Sequence, residues 1–437
     1  MSRRQFLKQS SLLSLGIIAY PMCGNALQFG SKNDVIIGHN SHRYKVDMNW
    51  GNLDALKTPV KDCHEMVQDS KGRIVLLTNH TKNNIIIYDK SGKAYYDMVS
   101  GLAVTNIGHR HPKVIEAIKK QVDTHLHVIP YGEFIQTPQL ELAKKLNEIL
   151  PDNLTTSYFV NSGAEAVEGA LKLAKRYTGK QEIIACHKSY HGSTHGALSV
   201  SGNPVKQSAF KPLLPEVNFI EFNELEGLNR ITEQTACVII ETVQGDAGVR
   251  IPSLEYMKAL KEKCTITGTL LILDEIQTGF GRTGSFFAFE QFGITPDILV
   301  IAKALGGGMP IGAFVSSKEI MDCLTHNPML GHITTFGGHP VNCAAAIANI
   351  EVIQEENLVE SVHWKGALMR ELLSHPLVKE IRQIGLMLAI DLENDEITQK
   401  VVHGCLEKGI IAFWFLSCPA SFRLAPPLTI FEEEIRE

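Results

Sequence analysis

Five short apolar runs recur along the middle of the chain: Tyr158-Phe159-Val160, Ile183-Ile184-Ala185, Val238-Ile239-Ile240, Leu270-Leu271-Ile272-Leu273 and Ile298-Leu299-Val300-Ile301. None alternates with polar residues. A strand that is apolar at every position has no solvent face, so these runs predict strands buried on both faces of a mostly parallel sheet. Helical spacing surrounds them, at Pro112 to Val122 with Val114, Ile115 and Ile118 apolar, at Pro138 to Leu150 and at Glu165 to Tyr177. The alternation makes the part from Ala94 onward an α/β fold. The 437 residues, 44% of them hydrophobic, are enough for two or three domains with sizeable cores.

In an open α/β sheet ligands collect beyond the C-terminal ends of the strands, so the polar residues directly after each apolar run are the candidates for chemistry. They form a coherent set: Asn161-Ser162-Gly163-Ala164-Glu165, Glu241, Asp274-Glu275 and Lys303. Lys303 stands alone between a buried strand and the run Gly306-Gly307-Gly308. Desolvation there lowers an ammonium pKa toward the range where the free amine attacks a carbonyl; a structural lysine snorkelling from a strand end is the alternative. Asp274 ends the most apolar run, where a carboxylate calls for a charged or hydrogen-bonded partner. The ring nitrogen of pyridoxal phosphate is such a partner, and the cap of a following helix is the blander one. Ser162-Gly163-Ala164, between a strand and a helical tract, offers amides and a hydroxyl to a phosphate. Tyr190 offers an aromatic face to a pyridine ring or fills the core.

Taken in order, Gly101 to Pro112, Asn161 to Ala166, Tyr190-His191-Gly192, Glu241 to Gly248, Asp274 to Gly284 and Thr334 to Pro340 resemble the class III pyridoxal-phosphate aminotransferases of the ornithine, acetylornithine and 4-aminobutyrate type. The resemblance runs from about Ile85 to the end of the chain. It implies a fold-type I α/β transferase, with a cofactor-binding large domain over 93–345 and a smaller C-terminal α+β domain over 346–437. Lys303 then looks like the Schiff-base lysine that shuttles the proton, and Asp274 like the pyridinium partner. Ser162, Gly163 and Ala164 match the phosphate cup, Tyr190 the ring stack, Gln277 the neighbour of the cofactor's 3-hydroxyl, and Glu241 the acid near the substrate; His191 belongs to the same cofactor-binding stretch. Thr335 resembles the threonine that reaches the phosphate of a neighbouring subunit, which implies a homodimer. Ser421 to Leu428 is similar to the family's carboxylate-binding arginine motif, with the guanidinium at Arg423. Asp246 stands where a shielding glutamate is commoner, and its shorter side chain is expected to reach Arg423 less well. The implied reaction is ping-pong transfer of an amino group from an amino acid or ω-amino compound to a 2-oxo acid, with 2-oxoglutarate the expected acceptor. A racemase, mutase or decarboxylase on the same fold, or an inactive chimera, stays open at this point.

The chain before Ala94 reads differently. Ser2-Arg3-Arg4-Gln5-Phe6-Leu7-Lys8, the apolar Leu12 to Ala19 and the small residues up to Ala26 resemble a twin-arginine export signal over 1–27; a basic amphipathic start is the alternative. From residue 28 to 92 the pattern is strand and turn, at Val35 to Gly38, Arg73 to Leu77 and Asn84 to Tyr88, with turns at Asp69 to Gly72 and Asp89 to Gly92. This stretch resembles part of a secreted NHL-type β-propeller, joined at Ile86 to Lys93 to the catalytic part. The chain also stops at Phe431 to Glu437, within what the resemblance makes a last helix. A net charge of -5 offers no polybasic field to nucleic acid or acidic lipid, which points to a small-molecule site; the catalytic part is expected in the cytoplasm, with twin-arginine export the alternative. The 9 cysteines are scattered, with no CxxC pair and no zinc spacing, and read as reduced core thiols.

Overall fold

The computed structural model describes residues 94–437 apart from 131 and 133, together with the backbone of five strands before them. The export-like residues 1–27 and the turns at 69–72 and 89–92 lie outside the described residues. The chain divides into two compact units, 1–52 and 53–437. In the first, β1 (Val35–His39) and β2 (His42–Val46) pair antiparallel. In the second, β3 (Cys63–Gln68), β4 (Ile74–Thr78), β5 (Ile85–Tyr88) and β6 (Ala94–Asp97) form an antiparallel meander.

Helices α1 (Pro112–Thr124) and α2 (Thr137–Ile149) follow, and then a seven-stranded sheet. Its strands are β7 (Thr156–Val160), β8 (Glu182–Cys186), β9 (Val217–Ile220), β10 (Thr235–Glu241), β11 (Leu270–Asp274), β12 (Ile298–Ile301) and β13 (Gly312–Ser316), in the spatial order β7-β13-β12-β11-β10-β8-β9. All run parallel except β13, which is antiparallel to both neighbours. The five expected strands are all present; β9 and β13 are additions.

Burial explains the unbroken apolar runs. Along β11, Leu271 and Leu273 join one core while Leu270 and Ile272 join the other, and β8, β10 and β12 divide in the same way. Successive side chains point to opposite faces, so two cores require apolar residues at every position. Helix α3 (Gly163–Thr178) fills one face. Ser162 caps its start, Gly179 ends it in the left-handed region at φ 68°, and Lys175 and Arg176 sit in its last turn, where the helix dipole favours cations. Helix α4 (Leu254–Thr267) leads into β11, and α5 (Pro340–Glu355) packs against α1 and α2.

After α6 (Leu358–Leu372) come β14 (Glu380–Ile384), β15 (Met387–Asp391), α7 (Asp395–Glu407), β16 (Ile410–Ile411), β17 (Phe413–Trp414) and β18 (Ser421–Leu424). A four-stranded sheet of order β14-β15-β18-β17 carries Arg423. β16 pairs parallel with β6, which ties the antiparallel meander to the last third of the chain. Among the described residues no helix is long and apolar enough to cross a membrane, and the cysteines are free.

Candidate active site

Strand register assembles the site. Glu241 and Asp274, the last residues of β10 and β11, stand opposite each other in the parallel ladder. β12 ends one strand further on and delivers Ala302 and Lys303 to the same edge. Gly312 of β13 pairs with Val160 of β7, so the Ser162 turn opens onto that edge as well. A Cβ on Gly312 would lie 2.7 Å from the Ser162 carbonyl carbon, which only glycine tolerates. A cavity of about 700 Å³ results. Ser162, Gly163, Ala164, Tyr190, His191, Glu241, Asp274, Gln277 and Lys303 all line it. Thr335 does not; it is exposed on the loop before α5. Asp246 and Arg423 lie outside that lining, and Arg423 shares a smaller neighbouring pocket with Gln277.

Each polar group has a defined hold. Asp274 is 4% exposed; its Oδ1 accepts from the Ile276 amide at 3.0 Å, and its Oδ2 lies 2.7 Å from His191 Nδ1. His191 is itself buried, and its Nε2 has no hydrogen-bond partner. Ser162 Oγ accepts from the Glu165 amide at 3.2 Å, so the hydroxyl that faces the cavity also caps α3. The first amides of a helix lack intrahelical acceptors, and the dipole there favours an anion. Lys303 sits in left-handed backbone at φ 46°, a strained conformation for a residue with a Cβ. Burial pushes its ammonium down to about 8, against the opposing pull of Asp274. Burial, then the charges of Asp274 and Asp246, raise the Glu241 carboxyl well above the usual carboxylate range. Its Oε2 is a buried acceptor without a partner.

Arg423 rests on the Phe415 ring at 4.3 Å and donates to Asp246 at 3.2 Å. The aspartate reaches the guanidinium through one nitrogen only. Burial alone would raise the Asp246 carboxyl; hydrogen bonds from Ser417 and Lys206 and the charges of Lys206 and Arg423 outweigh it and hold the group below its ordinary value.

A carbonyl compound bearing a phosphate and a basic ring nitrogen fits this donor set. The amine is destabilised as an ammonium, and Asp274, held by His191, lines the same cavity as Glu241 and as Gly163 and Ala164, which open helix α3. Residues 66–437 match the family described as Aminotransferase class-III. The chain is a class III aminotransferase. The family match begins at Met66, ahead of Ile85, where the motifs alone had set the start of the resemblance. Acetylornithine aminotransferase of Methanocaldococcus jannaschii is 41% identical to this aminotransferase over 363 residues, which cover 80% of the chain and 88% of that protein. Putrescine aminotransferase of Pectobacterium atrosepticum is 39% identical, over 80% of the chain and 77% of that protein. The solved ornithine aminotransferase of Toxoplasma gondii superposes with a TM-score of 0.74 at 31% identity, covering 80% of this chain and 84% of that one. The activity is pyridoxal-phosphate-dependent transamination, and a racemase, mutase or decarboxylase reading is not favoured.

The structure adds Lys206, Ser417 and Arg282 to the aminotransferase site and gives Glu275, a candidate from its position after a strand, a structural part. Lys206 and Ser417 both bind Asp246, from 40 and 171 residues away in sequence. Glu275 is fully buried and accepts from the Thr242 and Thr278 hydroxyls and from the Ala288 and Phe289 amides, which locks the turn after Asp274. Arg282, also fully buried, donates to the Leu386 and Pro426 carbonyls and to Asn106, and so ties the Asp274 segment to the strands beside Arg423. The Asp-Glu-x-Gln-x-Gly-x-Gly-Arg run contained both residues, but nothing local told a structural acid from a catalytic one.

Proposed function

We propose that this transaminase takes a terminal amino group from an ω-amino donor and delivers it to 2-oxoglutarate, with Arg423 binding the acceptor's carboxylate and Asp246 covering Arg423 while the donor's amine enters. The observation that carries the reading is the Asp246–Arg423 pair, 3.2 Å apart, in which Arg423 is only 13% exposed and its Nε lacks a partner. A planar carboxylate satisfies two guanidinium nitrogens at once, which a single aspartate oxygen does not. The terminal-amine donor is supported by relatives named for acetylornithine and putrescine.

Pyridoxal phosphate, when bound, supplies the electron sink that acidifies the carbon bearing the amine. Lys303, with its pKa pushed down to about 8, takes that proton and returns it. Asp274, its two oxygens fixed by His191 and the Ile276 amide, would serve as the partner of the ring nitrogen. Ser162 and the Gly163 and Ala164 amides at the start of α3 would hold the phosphate, Tyr190 would cover the ring, and Gln277 would serve the 3-hydroxyl. Thr335 of a second copy completes the phosphate site, so the active unit is a homodimer. Thr335 is exposed in the single chain, beside the exposed apolar Met329, Leu330, Ile333 and Phe336. Residues 93–345 act as the cofactor domain and 346–437, with Arg423, as the smaller domain.

The test is glutamate formation from 2-oxoglutarate with acetylornithine, ornithine, 4-aminobutyrate, lysine and putrescine, using wild type, Lys303→Ala and Arg423→Met. Activity with terminal amines, lost in Lys303→Ala and shifted to high acceptor KM in Arg423→Met, is expected. Turnover of alanine, which has an α-amine alone, with none of these five donors refutes the terminal-amine reading.

The catalytic part works in the cytoplasm unless residues 1–27 act as a twin-arginine signal; fractionation of cells expressing the chain with and without those residues decides between the two. A junction with a propeller-type protein near Ile86 to Lys93 rests on the residues both families favour there, while the family match reaches back to Met66. Sequencing of the locus across the codons for His80 to Ser100 settles the point.

A further inference from the structure

The Asp246 carboxylate is shared unequally. Its Oδ1 accepts from Arg423 Nη2 at 3.2 Å, while its Oδ2 accepts from the Lys206 ammonium at 3.0 Å and from the Ser417 hydroxyl at 2.7 Å. Lys206 is firmly placed. It belongs to a single helical turn, Pro204–Gln207, whose start is capped by the Asn203 side chain. Asn203 also donates to Ser417 at 3.3 Å, and Gln207 donates to the buried Leu198, Ser199 and Ser201 carbonyls. The Lys206 ammonium lies 5.3 Å from the centre of the Tyr190 ring, at cation–π distance.

We propose that Lys206 is a specificity-determining positioning residue that competes with Arg423 for Asp246, and so sets how readily an incoming carboxylate takes Arg423. The inference rests on the reading of Asp246 and Arg423 as the carboxylate gate. Two of the three contacts, and the two shorter ones, hold Asp246 on the Lys206 side. Without Lys206 the aspartate, 6% exposed, keeps Arg423 as its only cation partner and pairs with it more strongly. Arg423 is then less available to a dicarboxylate, whereas a donor that places no carboxylate there is unaffected.

The test uses the pyridoxal-phosphate-loaded enzyme and a non-reacting dicarboxylate, glutarate, with its Kd read by calorimetry beside kcat and KM for 2-oxoglutarate. Lys206→Met is expected to raise both Kd and KM about five- to thirty-fold, in the middle of the wider range of coupling between groups in direct contact. The change should fall on KM and not on kcat, and Lys206→Arg should restore it. In an Asp246→Ala background the same Lys206→Met change should alter Kd by less than about two-fold, because the competitor is gone. An equal loss in both backgrounds means that Lys206 attracts the carboxylate directly and overturns the proposal; no loss in either overturns it as well. Arg423→Met separates the two layers: unchanged glutarate binding in that variant removes the gate itself, whatever Lys206 does.

Discussion

Replacing Lys303 with methionine should stabilise the cofactor-free enzyme at neutral pH. The lysine ammonium is pushed from 10.5 to about 8, chiefly by burial. Between these values the unfolded chain holds a proton that the folded chain has released, so the stability of the wild type rises with pH across that window and is lowest below about 8. The drop is worth about 3 kcal/mol at 1.36 kcal/mol per pKa unit. Lys303 lines a cavity that water enters when no cofactor fills it, which reduces the figure to about 1–2 kcal/mol. Methionine keeps the apolar stem, omits the charge and leaves the left-handed backbone occupied by a residue with a Cβ, so backbone strain cancels in the comparison. Thermal unfolding of both cofactor-free proteins at matched concentration, from pH 6 to 10, reads the effect. At pH 7 the variant should melt about 1–2 °C higher, and the advantage should shrink steadily above pH 8. A variant that melts lower at pH 7, or a difference that does not change with pH, refutes the buried, destabilised ammonium.

Asp274→Asn removes the fixed charge against the ring nitrogen and should weaken pyridoxal phosphate binding about 100-fold or more, read by equilibrium dialysis; near-normal affinity would remove Asp274 from the cofactor site. Gly312→Ala forces the Ser162 carbonyl away and with it the phosphate turn. Pyridoxal phosphate affinity should fall about ten-fold while that of unphosphorylated pyridoxal holds, and an equal loss for both compounds would place the damage elsewhere. Arg282→Met leaves the Leu386 and Pro426 carbonyls and the Asn106 amide oxygen without their donor. Urea unfolding should show a net loss of about 1–3 kcal/mol, the orphaned acceptors being offset in part by relief of a guanidinium that burial pushes down to about 9, and no loss would mean that the ties between these segments carry little.

The sheet was legible where its strands are buried on both faces, because β8, β10, β11 and β12 cannot afford a polar position inside and their C-terminal ends are marked by the first polar residue. β9 and β13 escaped for the converse reason. Val217-Asn218-Phe219-Ile220 carries a polar residue at the sheet edge, and Gly312-Ala313-Phe314-Val315-Ser316 begins with glycine and alanine because it passes close to the Ser162 turn. Glu241, Asp274, Lys303 and the Ser162 turn were found because each stands at the C-terminal end of a strand or within two residues of it.

By itself, then, the sequence determined which residues stand at the strand ends and which family's chemistry they serve, since that information is local: a run of apolar residues and the polar group that stops it. Only the tertiary structure decided how those groups are held. The His191–Asp274 contact, the Glu275 and Arg282 networks, and the sharing of Asp246 among Arg423, Lys206 and Ser417 join residues far apart in the chain. Hydrogen bonds and ion pairs act over about 3 Å in space whatever the separation in sequence. The balance between Lys206 and Arg423 therefore belongs to the fold and leaves no spacing to read.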